Sequence, residues 1–192
     1  PEWIIHIPGE GGIGKTRLLE MIRQDALKNE KKTLVTRQLV DFYDATNQTD
    51  FGLLGGIAEA IDPARFEDFF HARTQFDEML KSEPEPAHRQ DEARKVLQSF
   101  LEGHKKLLQE GHQVVWLLDT CEEMGKVEQY VLEILLPAIH EQETLLFNET
   151  EHEDEAVLHY QTLVVIAGRK KLAFPEVLAH HADPGSIGHG LR

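Results

Sequence analysis

The segment Gly9-Glu10-Gly11-Gly12-Ile13-Gly14-Lys15-Thr16 constrains this chain more than any other. It fits G-x-x-x-x-G-K-[ST], and it lies between the apolar run Trp3-Ile4-Ile5-His6-Ile7 and a helical pattern carried by Leu18, Leu19, Ile22 and Ala26. Glycines let the main chain curl tightly, so that successive N–H groups point inward at phosphate oxygens. The positive end of the helix that follows adds to the same field. In that setting Lys15 is expected to reach the β- and γ-phosphates, and the Thr16 hydroxyl to ligate Mg²⁺. Gly9, Glu10, Gly11, Gly12, Ile13, Gly14, Lys15 and Thr16, with Arg17 just inside the helix, are the expected nucleotide-binding residues. Fixed positions at ordinary residue frequencies match this pattern by chance in roughly one such chain per hundred. The competing reading is a glycine-rich strand-to-helix turn with no ligand.

Around the loop, short β-type runs alternate with longer helical patterns, and no internal repeat is evident. Pro8-Gly9 closes the first strand. Thr33 to Phe42 (TLVTRQLVDF) reads as a second strand, Gln113 to Leu118 as a third and Leu163 to Ala167 as a fourth. Between them, Phe51, Leu54, Ile57, Ala58 and Ile61 mark one helix face, and Phe66, Phe69, Phe70, Phe76 and Leu80 another; the phenylalanine stripe reads as core. Ser82 to Pro86 is a proline-bearing break. From Ala93 to Leu108 helical spacing holds for four turns and ends at Gly111, and Val127 to Ile139 is a further helix. Strict alternation predicts βαβ units. The expected fold is α/β, a three-layer sandwich with a mainly parallel sheet of four or five strands and helices on both faces, forming a single domain over residues 1–192 with a flexible-looking tail from 183.

Composition sets the outer bounds. With 192 residues and 41% of them apolar, the chain can close one core. Its single cysteine cannot form an internal disulfide, which points to a reducing compartment such as the cytoplasm. No apolar run approaches the length of a bilayer span, so no membrane partner is expected. A formal charge of -14 repels phosphate backbones, so direct nucleic-acid binding is not expected either. The start at Pro1 suggests a piece of something longer.

A phosphate loop needs a carboxylate for its magnesium at the end of a neighbouring strand. Val114-Val115-Trp116-Leu117-Leu118-Asp119 offers one where a parallel strand surfaces, and Asp119 is the expected Mg²⁺ ligand with Thr16. Of the acids that follow, Glu122 is the first choice to orient or deprotonate an attacking water and Glu123 the reserve. Either could instead be a solvated acid at a helix start. Cys121 reads as a packing residue, since no base partners it. Arg169, after the strand ending in Ala167-Gly168, could neutralise γ-phosphate charge or be a surface residue ahead of Lys170 and Lys171. Asp41 and Asp44 end the second strand on the same rim. The acidic stretch Asn148 to Glu155 reads as a solvated loop, and His180, His181, Asp183 and His189 as a solvated tail rather than a metal site.

With GEGGIGKT, VVWLLDTCEE and LVVIAGR in that order, the chain resembles the STAND class of signal-transducing NTPases, relatives of AAA+ ATPases that include the NACHT ATPases. The likeness spans about residues 3 to 171, with Phe42-Tyr43-Asp44 ahead of Leu53-Leu54 typical of bacterial members. It implies an AAA+-like strand order, ATP or ADP with Mg²⁺ as cofactors, catalytic roles for Lys15, Glu122 or Glu123 and Arg169, and a switch that hydrolyses ATP slowly. It also implies ATP-dependent homo-oligomers and protein partners recruited through further domains. Members usually carry a base-contacting segment before the first strand and a helical lid and winged helix after the last; here Pro1 and Glu2 precede the first strand, and a short helix pattern from Pro175 to His181 follows the last. The expectation is an ATPase core without its adenine cap, lid or effector. Three alternatives compete: a nucleotide-gated scaffold that binds without turnover, a small-molecule kinase, for which an arginine-rich lid is missing, and a GTPase, for which no [NT]-K-x-D segment occurs.

Overall fold

The computed structural model describes residues 3–28, 32–149, 161–175 and 178. Five strands, β1 (Ile4–Pro8), β2 (Thr33–Val35), β3 (Val40–Asp41), β4 (Gln113–Asp119) and β5 (Thr162–Gly168), form one sheet. Its order is β1-β5-β4-β2, with β3 also on β4, and all the pairings are parallel. Every carboxyl end therefore emerges on one rim, where open α/β sheets bind ligands. The helices are α1 (Lys15–Leu27), α2 (Asp50–Ile61), α3 (Glu67–Leu80), α4 (Pro86–Gln109), α5 (Val127–Tyr130) and α6 (Leu136–Glu149).

Strand side chains alternate between two faces. Val115, Leu117, Val165 and Ala167 pack with Leu19 of α1 on one face. Val114, Trp116, Leu118, Val164 and Ile166 pack on the other, under α2, α4 and the residues from Val127 to Ile139. The three expected layers are present but unequal: among the described residues α1 alone covers its face. The phenylalanine stripe is core, with Phe66 and Phe69 both against Phe100, and Phe100 edge-on to Trp116.

Two expected elements differ from what forms. The run Thr33 to Phe42 is not one strand. At Thr36 the main-chain N–H still donates to the Val115 carbonyl (3.0 Å), but the buried Thr36 hydroxyl, rather than a carbonyl, accepts from Leu117 N–H (3.2 Å). Arg37 N–H then turns away to the Ala60 carbonyl, and the chain rejoins β4 only at Val40. The helix expected to stop near Ile139 runs ten residues further, to Glu149. Near its start, Val131–Leu135 forms a π-turn. Pro137 sits just beyond; with no N–H to donate one turn back, it disfavours regular α-helix there. The longer helix places Gln142 and Glu143 inward. Gln142 Oε1 meets Nδ1 of the fully buried His104 (2.9 Å), whose Nε2 meets the Thr162 hydroxyl (3.1 Å). Glu143 accepts N–H bonds from Gln161 (2.7 Å) and Thr162 (3.0 Å), pinning the start of β5. Most of the acidic stretch, the tail from 183, and the histidine positions 180, 181 and 189 lie outside the described residues.

Candidate functional site: the carboxyl rim of the sheet

The glycine-rich loop joins β1 to α1 as the motif predicts. Gly12 (φ 81°) and Gly14 (φ 92°) hold the left-handed region, where a side chain would be strained although space is open around both. Gly14 is the N-cap of α1; no side chain caps that helix and no acid stands in its first turn. The helix start thus leaves its first N–H donors without a side-chain acceptor, in the field that favours an anion. Lys15 folds back over the loop and its ammonium donates to the carbonyls of Gly9 (2.8 Å) and Glu10 (2.8 Å). Thr16 and Arg17 are exposed beside it, and the Ile13 side chain lies over Gly9.

One expectation about placement needs correcting. The strand carrying Asp119 is not the neighbour of β1: β5 lies between them. Hydrophobic pattern fixes which residues face the core, and leaves strand order open. The intervening strand nevertheless draws the pieces together. Gly9 N–H donates to the Gly168 carbonyl (3.0 Å), extending the β1–β5 ladder into the loop. On its other side Gly168 has no room for a Cβ, which would press on Cys121 Sγ and stand 2.5 Å from Glu122 Oε2.

Arg169 is the bridge. Its N–H donates to Glu122 Oε2 (2.6 Å) and its Nε stands 3.4 Å from Glu122 Oε1. Its guanidinium lies over Gly11, where an added Cβ would be 2.8 Å from Nη2. So the loop, Arg169 and Glu122 form one contiguous group. Glu123 is exposed, and its carboxylate makes no hydrogen bond with the described residues. Consecutive positions of the one-turn 3-10 helix Cys121–Glu123 point different ways, which is why two adjacent acids end up in different surroundings.

Asp119 is 6% exposed at the end of β4, with Oδ1 accepting from Thr120 N–H (2.9 Å). It makes no ion pair with a described residue. Beside it, in register on β3, Asp41 accepts from the Thr120 hydroxyl (2.7 Å) and from Tyr43 N–H (2.9 Å), where sequence reasoning places it only on the same rim. Thr120 holds φ 63°, so a strained turn separates Asp119 from Glu122. Asp44 instead caps the following turn by accepting from Thr46 N–H (2.9 Å). Cys121 is buried, and burial with the neighbouring Glu122 charge pushes its thiol up to about 11, far from the thiolate a nucleophile needs. Among the described residues no cluster of three His, Cys, Asp or Glu side chains could hold a metal by itself, and no helix is long and apolar enough to cross a membrane.

The arrangement can hold an anion on the loop and the start of α1, meet it with two cations, Lys15 and Arg169, and offer carboxylates at 119 and 122 on the same rim. Comparison with known proteins adds no identification: no protein-family model, curated protein or solved structure matches the chain.

Proposed function

We propose that this chain is the ATP-binding and ATP-hydrolysing core of a nucleotide-dependent switch of the STAND type. The observation that carries the reading is the contiguity of the glycine loop, Arg169 and Glu122 on one rim. In this reading the N–H groups from Gly11 to Thr16 receive the phosphates, and Lys15 leaves its two loop carbonyls for them. Arg169 turns its charge from Glu122 toward the γ-phosphate, and Glu122 is then free to orient the attacking water. Asp119 and Thr16 would hold the magnesium, which neutralises phosphate charge. Asp119 suits that role because a buried carboxylate without a cation is costly. ATP or ADP is the nucleotide. Oligomerisation and protein partners act through regions beyond this core, in the cytoplasm.

Calorimetry with ATP, ADP and GTP plus Mg²⁺ tests the binding step. Lys15→Ala should lower ATP affinity by about 100-fold or more, the loss of two charge-assisted contacts; unchanged affinity overturns the reading. Glu122→Gln separates hydrolysis from a second reading, a scaffold that binds without turnover. That reading is favoured by the engagement of Glu122 with Arg169, which occupies the carboxylate that hydrolysis would need as a base. Loss of phosphate release with binding retained supports the hydrolase, and no change supports the scaffold.

A further inference from the structure

A second concave site lies away from the glycine loop. It is a cleft of about 640 Å³ between the start of α2, the middle of α3 and the first turns of α4, with Lys126 at its side. That volume is in the usual range for small-molecule sites, about 300–1,000 Å³. Three cations from three different segments line it: Arg73, Arg89 and Lys126. Several bases elsewhere are paired with acids, as in Arg23–Glu20, Arg65–Glu110, Lys95–Glu92 and Lys106–Asp68, while others, such as Arg17, Arg37 and Lys105, make no ion pair with a described residue. Arg73, Arg89 and Lys126 make no ion pair and no side-chain hydrogen bond with a described residue.

Arg73 is the most telling of the three. It is half-buried, and one guanidinium nitrogen stands beside Gly55 of α2, in space that only a glycine leaves open, so Arg73 lies between this cleft and a smaller neighbouring cavity that Gly55 also lines. A partly desolvated guanidinium without an anion is a cost that a bound anion would relieve. The lining also has an apolar part, formed by Phe51 and Phe76, whose rings meet edge-to-face at 5.1 Å. Two acids share the lining, Asp50 and Asp77. Burial holds the Asp50 carboxyl above the ordinary carboxylate range.

We propose that this cleft binds a small organic anion with an aromatic or alkyl body, its charged head on Arg73, Arg89 and Lys126 and its body on Phe51 and Phe76. The site shares no residue with the glycine loop, so it stands or falls independently of the nucleotide reading.

The probe is 8-anilinonaphthalene-1-sulfonate, followed by fluorescence titration of the folded full chain. One saturable site is expected. Each charged contact removed should weaken binding about tenfold, so the Arg73→Gln/Arg89→Gln double variant should lose about 100-fold. Lys126→Gln, at an exposed position that leaves the core intact, should lose about tenfold by the same arithmetic and serves if the double variant does not fold. Arg94→Gln, on the same helix but paired with Asp91, and Lys15→Ala should leave the affinity unchanged. The uncharged analogue N-phenyl-1-naphthylamine should bind far more weakly. Absence of a saturable site, equal loss in Arg94→Gln, unchanged affinity in Lys126→Gln, or equal binding of the uncharged dye overturns the proposal.

Discussion

Acidification should destabilise this fold through one imidazole. His104 is fully enclosed between α4, α6 and β5, edge-on to Trp116 at 5.5 Å, and burial pushes its pKa from 6.5 down to about 4. The Gln142 bond opposes that shift without cancelling it. Because the folded value lies below the unfolded one, the unfolded chain takes up the proton first as pH falls. Stability is therefore complete above about pH 7, and it is lost progressively between 6.5 and 4. Integrating the linkage relation over that window removes about 2 kcal/mol by pH 5 and about 3 kcal/mol by pH 4. Glu143 runs the other way. Burial raises its pKa, so the folded state takes up its proton first and regains some stability as pH falls toward the ordinary carboxylate value. The test must isolate the histidine. Urea unfolding of the parent and of His104→Gln at pH 7 and pH 5 does so: the parent should lose about 2 kcal/mol more than the variant across that interval. Imidazole NMR should show His104 neutral at pH 5. Equal pH slopes in the two proteins, or a His104 resonance titrating near 6.5, would refute the reasoning.

Two further substitutions probe the rim and the sheet. Gly168→Ala drives a methyl against Cys121 Sγ and within 2.7 Å of Cys121 N, so it should cost about 1–3 kcal/mol of stability and, on the proposed function, reduce phosphate release by moving Glu122; an unchanged urea midpoint contradicts this. Thr36→Val keeps the side-chain volume but leaves the buried Leu117 N–H without its acceptor, for a loss of about 1–3 kcal/mol by urea unfolding, whereas Thr36→Ser should retain most of the stability.

What could be read in advance followed the range of the interaction involved. The strand–loop–helix unit at Gly9 to Thr16 is local, and so was legible: its glycine dihedrals, its uncapped helix start and its lysine are set within one short segment. Helical periodicity likewise marked α2, α3 and α4, although α4 begins at Pro86, earlier than its apolar face suggests, because its first turns are polar and exposed. The misses are non-local. Thr36 breaks its strand only because Leu117 N–H stands opposite its hydroxyl. Glu143 finds its partners only because β5 presents two N–H groups to it. Nothing in an apolar run states which strand lies beside it, so periodicity alone does not place β5 between β1 and β4; only the resemblance bears on strand order. The choice between Glu122 and Glu123 likewise depends on the position of Arg169, on a different strand.

The same non-local contacts explain why the rim is coherent. Gln161 and Thr162, at the amino end of β5, are held by Glu143 and His104; Gly168 and Arg169, at the carboxyl end, meet the glycine loop and Glu122. Thr162 and Gly168, the first and last of seven strand residues, stand roughly 20 Å apart at the usual rise. Between them β5 is paired along its length, with β4 on one side and β1 on the other. A slip of one residue would turn every β5 side chain to the opposite face and carry Gly168 away from Gly9. The buried polar groups at the far end therefore do more than satisfy one another: by fixing where β5 begins, they fix where Arg169 stands. The long helix is needed for this, because Glu143 reaches β5 only if the helix continues past Ile139. The π-turn ahead of Pro137 allows that continuation. The geometry of the candidate site is thus set partly by a helix whose end lies on the opposite side of the sheet from the chemistry.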